Sequence, residues 1–275
     1  MTAHQSAAIP PSSRGHALVT GASSGIGAAF AREYARRGVP LVLTARRVER
    51  LESLAQSLRP QVDVHVVAAD LADPRSAQAL ESAVDERGLH VAHLVNNAGY
   101  GVPGRYLSCD WRTHADFLQV LVASPAELTH RFAPAMQSRG YGRIVNVASL
   151  AGLVPASAGH TLYGASKALM IRFSECLHAE MQPHGVHVTA LCPGFTYTEF
   201  HDVNGMRERI SRLPPWLWQD AASVAREGLD AVERGQARCV TGAVNRTIAA
   251  LAKYLPEPLA RALVASKARD FRDAD

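Results

Sequence analysis

LVTGASSGIGAAFA, residues 18–31, decides how the rest of the chain reads. An apolar run ends at Thr20, a glycine-rich turn follows, and from Ile26 onward small and apolar residues recur at helical spacing. Gly21, Gly25 and Gly27 give the pattern G-x-x-x-G-x-G. Glycines at a strand-to-helix junction permit a tight turn, let a ligand approach the backbone, and let helix pack closely on strand. The helix N-terminus offers unpaired N–H groups and a partial positive charge, which suits a pyrophosphate. Gly21, Ser23, Ser24, Gly25, Ile26 and Gly27 are therefore candidate dinucleotide-binding residues.

The same alternation continues outward. Short apolar runs predict strands at 16–20, 40–45, 62–69, 91–97, 142–149, 186–192 and 238–242, with helical patterns between them, including a long one across 112–139. Gly38, Gly88, Gly140, Gly185 and Gly235 stand where helix C-caps belong. Near-continuous apolar strands alternating with helices imply an α/β fold, a parallel sheet covered on both faces. With no internal repeat or linker, residues 15–245 read as one domain, 1–14 as a flexible leader and 246–275 as a helical extension packed on that domain.

Composition narrows the function classes. The 275 residues carry 47% hydrophobic and 20% charged residues, ordinary for a globular protein. The net charge of +4 is modest and the arginines are dispersed, which argues against nucleic acid as partner. Four widely spaced cysteines without a C-x-x-C suit reduced thiols in a cytoplasmic protein. The twelve histidines form no close ligand cluster, and His184 and His187 read as strand-flanking, so no metal site is expected. No apolar run reaches the roughly 20 residues needed to span a bilayer.

The second strand ends in LTARR. Where NAD-binding folds commonly carry an acidic residue for the adenosine ribose, this chain has Arg46 and Arg47. Guanidinium groups suit a 2′-phosphate through paired, charge-assisted hydrogen bonds. The site is thus expected to prefer NADP(H) over NAD(H), unless these arginines only open a solvated helix. Farther on, TLYGASKA (161–168) places Tyr163 and Lys167 four residues apart, on one helix face. The pair reads either as acid/base chemistry or as two surface residues.

Together TGASSGIG (20–27), NNAG (96–99), IVNVAS ending at Ser149, YGASK (163–167) and CPGFTYT (192–198) resemble the short-chain dehydrogenase/reductase family in order and spacing, over roughly residues 15–245. The resemblance implies a doubly wound seven-stranded sheet of order 3-2-1-4-5-6-7 and an NAD(P)-dependent oxidoreductase that commonly forms a homodimer or homotetramer. It implies Ser149, Tyr163 and Lys167 as the catalytic group. An ammonium within about 4 Å would favour the phenolate by roughly 4 kcal/mol at an effective dielectric near 20, up to ~3 pKa units before desolvation. It further implies a 2′-phosphate site at Ser23, Ser24 and Arg46, and an adenine contact at Asp70 with Leu71 beside it. Asn97, Ala98 and Gly99 would border the adenosine ribose, and Pro193, Gly194, Thr196 and Thr198 would hold the carboxamide and pyrophosphate. Asn96 is expected to brace the central strands.

One position departs from the family pattern. Relatives often carry an asparagine in the fourth helix, at a local distortion whose backbone holds a proton-relay water; here Leu121 stands in that register, with Pro125 just after. Either the backbone carbonyl at 121 still serves, or the relay is impaired and turnover slow. Beyond CPGFTYT, Leu213, Trp216, Leu217 and Trp218 are candidates either to cover an apolar substrate or simply to pack a lid, and Leu150, Leu153, Val154, Phe195 and His160 flank the expected site. The leading expectation is hydride transfer between NADP(H) and a hydrophobic ketone, aldehyde or secondary alcohol. The alternatives are an NADP(H)-binding sensor or scaffold that turns nothing over, and a membrane-associated lipid-modifying reductase using the amphipathic tail.

Overall fold

A computed structural model describes residues 15–102, 104–156, 161–199, 214–256 and 259. The expected strands map onto seven parallel strands: β1 (His16–Thr20), β2 (Leu41–Thr44), β3 (Val64–Val66), β4 (Val91–Asn96), β5 (Gly142–Val147), β6 (Val186–Cys192) and β7 (Arg238–Val240). Their spatial order is β3-β2-β1-β4-β5-β6-β7, with every pairing parallel. The helices are α1 (Gly25–Arg36), α2 (Val48–Leu58), α3 (Ser76–Asp85), α4 (Trp111–Leu118), α5 (Ser124–Arg139), α6 (Thr161–Met181), α7 (Ala221–Glu233) and α8 (Ala243–Tyr254). The expected leader, His160, Leu213 and the tail from 260 lie outside the described residues.

The pleat of each strand feeds two apolar layers. Ala17 and Val19 of β1 join Leu41 and Leu43 of β2 under α1, α2 and α7, whereas Leu18 and Val42 turn to the other face, against α3, α4 and α5. Strands buried on both faces must be apolar throughout, which is why β1 and β2 read as continuous runs. Burial at roughly 25 cal/mol per Å² makes these layers the main source of stability. All five anticipated C-cap glycines take left-handed backbone, with φ from 63° to 76°.

The edge strands are shorter than expected. β3 covers three residues of the anticipated eight, although Val67 and Ala69 still donate to Leu43 and Ala45. The tail differs as well: α8 begins at Ala243, inside the expected domain boundary at 245, and of its side chains only Asn245 is buried. The histidine reading needs a correction. His187 lies within β6, its Nδ1 2.9 Å from the Val232 carbonyl oxygen, but the sheet register brings His16, Asp63 and His65 into one cluster that no sequence spacing announces. Among the described residues no helix is long and apolar enough to cross a membrane.

Candidate active site

The residues singled out from the sequence converge at the carboxyl edge of the sheet, where open α/β folds bind ligands. The glycine turn follows β1, Arg46 and Arg47 follow β2, Asp70 follows β3, Asn97–Gly99 follow β4, Ser149 follows β5 and Pro193–Thr198 follow β6.

The glycine turn is close-packed. Gly21 and Gly25 have φ of 65° and 55°, and a Cβ on Gly27 would fall 2.4 Å from the Gly21 carbonyl oxygen. Thr20 ties this turn to the next strand end: its Oγ accepts from the Asn97 and Ala98 backbone N–H groups at 2.9 and 3.0 Å. The Asn97 amide donates to the Thr20 carbonyl at 2.9 Å. Thr20 was missed in the sequence reading, although the T of TGASSGIG was its signal. Asn96 braces the centre, donating to Asn146 at 2.8 Å and Thr129 at 3.1 Å.

Beside the turn, the arginines divide differently than expected. Arg47, not Arg46, reaches the serines: it donates to Ser23 at 3.1 and 3.2 Å and to Ser24 at 2.8 Å. Arg46 is exposed and near enough to Tyr100 to act on its phenol, as Asp70 is. The alternation along the chain leaving β2 separates the two side chains. Arg47 also pairs with Glu199 at 2.9 Å, and Arg50, one turn along α2, holds the other oxygen of the same carboxylate. These two arginines keep Glu199 below the ordinary carboxylate range. Neither Arg50 nor Glu199 was anticipated; nothing local in sequence links them. Asp70 is exposed and its carboxylate accepts from the Ala72 N–H at 3.1 Å, while the Leu71 side chain is buried in the core and its carbonyl accepts from Ser124.

Ser149, Tyr163 and Lys167 come together between the end of β5 and the start of α6. The Tyr163 phenol is hydrogen-bonded with Ser149; burial pushes its pKa up and that bond pulls it back. The Ser149 hydroxyl oxygen also accepts from the Ala151 N–H at 3.1 Å. Lys167 is buried, donates to the Val147 carbonyl at 2.7 Å and lies 5.7 Å from the Tyr163 ring centroid. Burial lowers its ammonium to about 8. In this arrangement Lys167 donates to the backbone carbonyl of Val147, and burial is the larger effect on the phenol.

The helix before α6 carries the distortion despite Leu121. Gln119–Ala123 form a π turn between α4 and α5. Pro125 accounts for it: lacking an N–H, it cannot donate to the carbonyl of residue 121, its α-helical partner. The Leu121 side chain is buried, against the backbone of Gly99. Across the site, Thr196 is buried and donates to the Gly194 carbonyl at 3.1 Å. Gly194 is pressed on Asn245, whose amide a Cβ would meet at 2.4–2.6 Å. Thr198 packs on Gly25. Of the expected covering residues, Trp218 stacks on Tyr197 at 4.6 Å and lies 5.7 Å from Phe195, while Trp216 is 65% exposed.

The sequence profile described as short chain dehydrogenase matches residues 15–208. The chain belongs to the short-chain dehydrogenase/reductase family. Within that family of oxidoreductases it is 40% identical over 188 residues to the sulfoacetaldehyde reductase of Chromohalobacter salexigens, covering 66% of this chain and 73% of that one. It is 29% identical over 266 residues to dehydrogenase/reductase SDR family member 7B of Bos taurus, covering 93% and 82%. A short-chain dehydrogenase from Sphingobium yanoikuyae in complex with NADPH superposes with a TM-score of 0.76 at 30% identity, over 95% of this chain and 98% of that one. The bulky-bulky ketone specific alcohol dehydrogenase from Comamonas testosteroni gives 0.73 at 29% identity, over 95% and 96%.

Proposed function

We propose that this chain is an NADP(H)-dependent carbonyl reductase or alcohol dehydrogenase acting on hydrophobic ketones, aldehydes or secondary alcohols. The observation that carries this reading is the hydrogen-bonded Ser149–Tyr163 pair, with Lys167 buried beneath it, next to the glycine turn.

The turn fits a dinucleotide. At Gly21, Gly25 and Gly27 a Cβ would press on backbone, on the Asn97 side chain or on Thr198, so glycine keeps the turn tight at the N-terminus of α1, which suits an anionic pyrophosphate. Gly21, Ser23, Ser24, Gly25, Ile26 and Gly27 would hold the pyrophosphate, and Arg47 with Ser23 and Ser24 would hold the 2′-phosphate. Asp70 and Leu71 would border the adenine, Asn97, Ala98 and Gly99 the ribose, and Pro193, Gly194, Thr196 and Thr198 the nicotinamide end. The bound nicotinamide would supply or accept the hydride.

The protein's own part is to handle the proton. With its pKa raised by burial, Tyr163 is protonated at neutral pH and serves as general acid toward the developing alkoxide of a carbonyl; the reverse transfer runs in alcohol oxidation. Ser149 donates to the same substrate oxygen. Lys167, near 8, is poised to return a proton to Tyr163 at physiological pH. The Leu121 carbonyl in the π turn takes the place of the asparagine site of relatives, so the substitution that favoured a silent sensor has a backbone substitute. Tyr197, Trp218 and Phe195 give an aromatic wall suited to an apolar substrate. That the Comamonas testosteroni relative is specific for bulky-bulky ketones agrees with this class.

The test is a turnover screen of hydrophobic ketones and aldehydes with NADPH and NADH in parallel. The reading requires oxidation of NADPH with at least one carbonyl, and higher kcat/KM with NADPH than with NADH. Cofactor binding without turnover across the panel would support the sensor instead.

A further inference from the structure

The amino edge of the sheet, opposite the candidate active site, carries a second constellation. Ala17, Leu41 and Val64 are level across β1, β2 and β3, so His16 and Asp63, each one residue earlier, are level too. Strand periodicity puts His65 on the same face as Asp63. Pro40, one residue before Leu41, stands between them at that level. One ligand atom from each of His16, Asp63 and His65 lies within 4.8 Å of the others.

We infer that His16, Asp63 and His65 form a binding site for a divalent transition metal of the zinc class. Two imidazoles and one carboxylate suit Zn²⁺, Co²⁺ or Ni²⁺ better than Mg²⁺ or Ca²⁺, which favour all-oxygen shells. The second contacts are in place. His16 Nδ1 lies 3.3 Å from the His90 carbonyl oxygen; donation there leaves the Nε2 lone pair for a metal. His65 Nε2 is already 2.7 Å from Asp63 Oδ2, a proton-bridged pair that a metal ion would replace. The His90 ring, 6.5 Å from that of His16, leans on Gly15. Three protein ligands leave one position for water. Lying at the far edge from Tyr163, the ion would clip β1 to β3 rather than join the reaction.

Tag-free full-length protein, stripped with a chelator, is titrated with Co²⁺ and followed by its visible d–d absorption, then with Zn²⁺ in competition. One Co²⁺ per chain, displaced by Zn²⁺, is expected. His16→Ala, His65→Ala and the exposed Asp63→Asn should each weaken binding roughly tenfold or more, while His184→Ala leaves it unchanged. Circular dichroism establishes that each variant is folded, and Asp63→Asn carries the test if a histidine variant is not. Absence of specific Co²⁺ binding, or binding that survives these substitutions, overturns the inference. The result is independent of whether NADPH is turned over.

Discussion

Arg47 and Glu199, 152 residues apart, meet at 2.9 Å beside the two serines of the glycine turn. The same guanidinium holds Ser23 and Ser24, so the carboxylate stands beside the group proposed to bind a 2′-phosphate. Two anions on Arg47 and Arg50 compete. Glu199→Gln should therefore tighten NADPH binding by about fivefold, the scale of one partly exposed ion pair, and leave NADH within about twofold. Calorimetric titration of both cofactors checks this; equal gains for NADPH and NADH would contradict it.

The π turn predicts an asymmetry between neighbours. If the backbone at 121 does the work, Leu121→Asn should change kcat less than about threefold, under roughly 1 kcal/mol in barrier. Pro125→Ala restores an N–H donor to the residue 121 carbonyl and should lower kcat by about tenfold or more. Steady-state kinetics of the two variants, with folding verified by melting, decide it.

Gly27→Ala tests the cradle. The added Cβ would sit 2.4 Å from the Gly21 carbonyl oxygen, and the backbone must shift. A loss of about 1–3 kcal/mol in urea unfolding is expected from overpacking, together with weakened NADPH binding. Gly38→Ala meets no atom within 4 Å, but its φ of 74° makes it a backbone-strain control without effect on cofactor affinity.

Lys167 carries a pH signature. Its ammonium falls to about 8 in the fold, against about 10.4 for a free lysine. Between those values the unfolded chain binds more protons, so the stability of the native protein rises with pH relative to a Lys167→Met variant. The difference in unfolding free energy should grow by about 3 kcal/mol from pH 7 to 10.5. Urea titrations of both proteins at several pH values measure it; a difference that is flat or falls with pH would contradict the assigned burial of the charge.

The element sequence was legible because the central strands are buried on both faces and five helical segments close at a glycine, both local properties; the strand order followed from the family resemblance. The glycine turn was legible from its own spacing, and Asn96 as a brace from its place in the NNAG motif. The division between Arg46 and Arg47 was not, since it depends on side-chain direction at the end of β2. Glu199 and the His16–Asp63–His65 cluster arise from contacts between distant segments, which no window of sequence contains. The π turn was readable in part: Pro125 announced a disturbed helix, but not that the widened turn would fall over Leu121. The hydrogen bond from Lys167 to the Val147 carbonyl depends on the end of β5 and lay beyond the i,i+4 spacing.

The proton role assigned to Tyr163 is tested most directly by Tyr163→Phe, which removes one hydroxyl and keeps the ring. NADPH affinity should stay within about threefold of wild type, while kcat/KM for the best carbonyl substrate should fall by a factor on the order of 10³, near the 10²–10⁴ of general acid catalysis. Turnover retained within tenfold at unchanged NADPH affinity would contradict it.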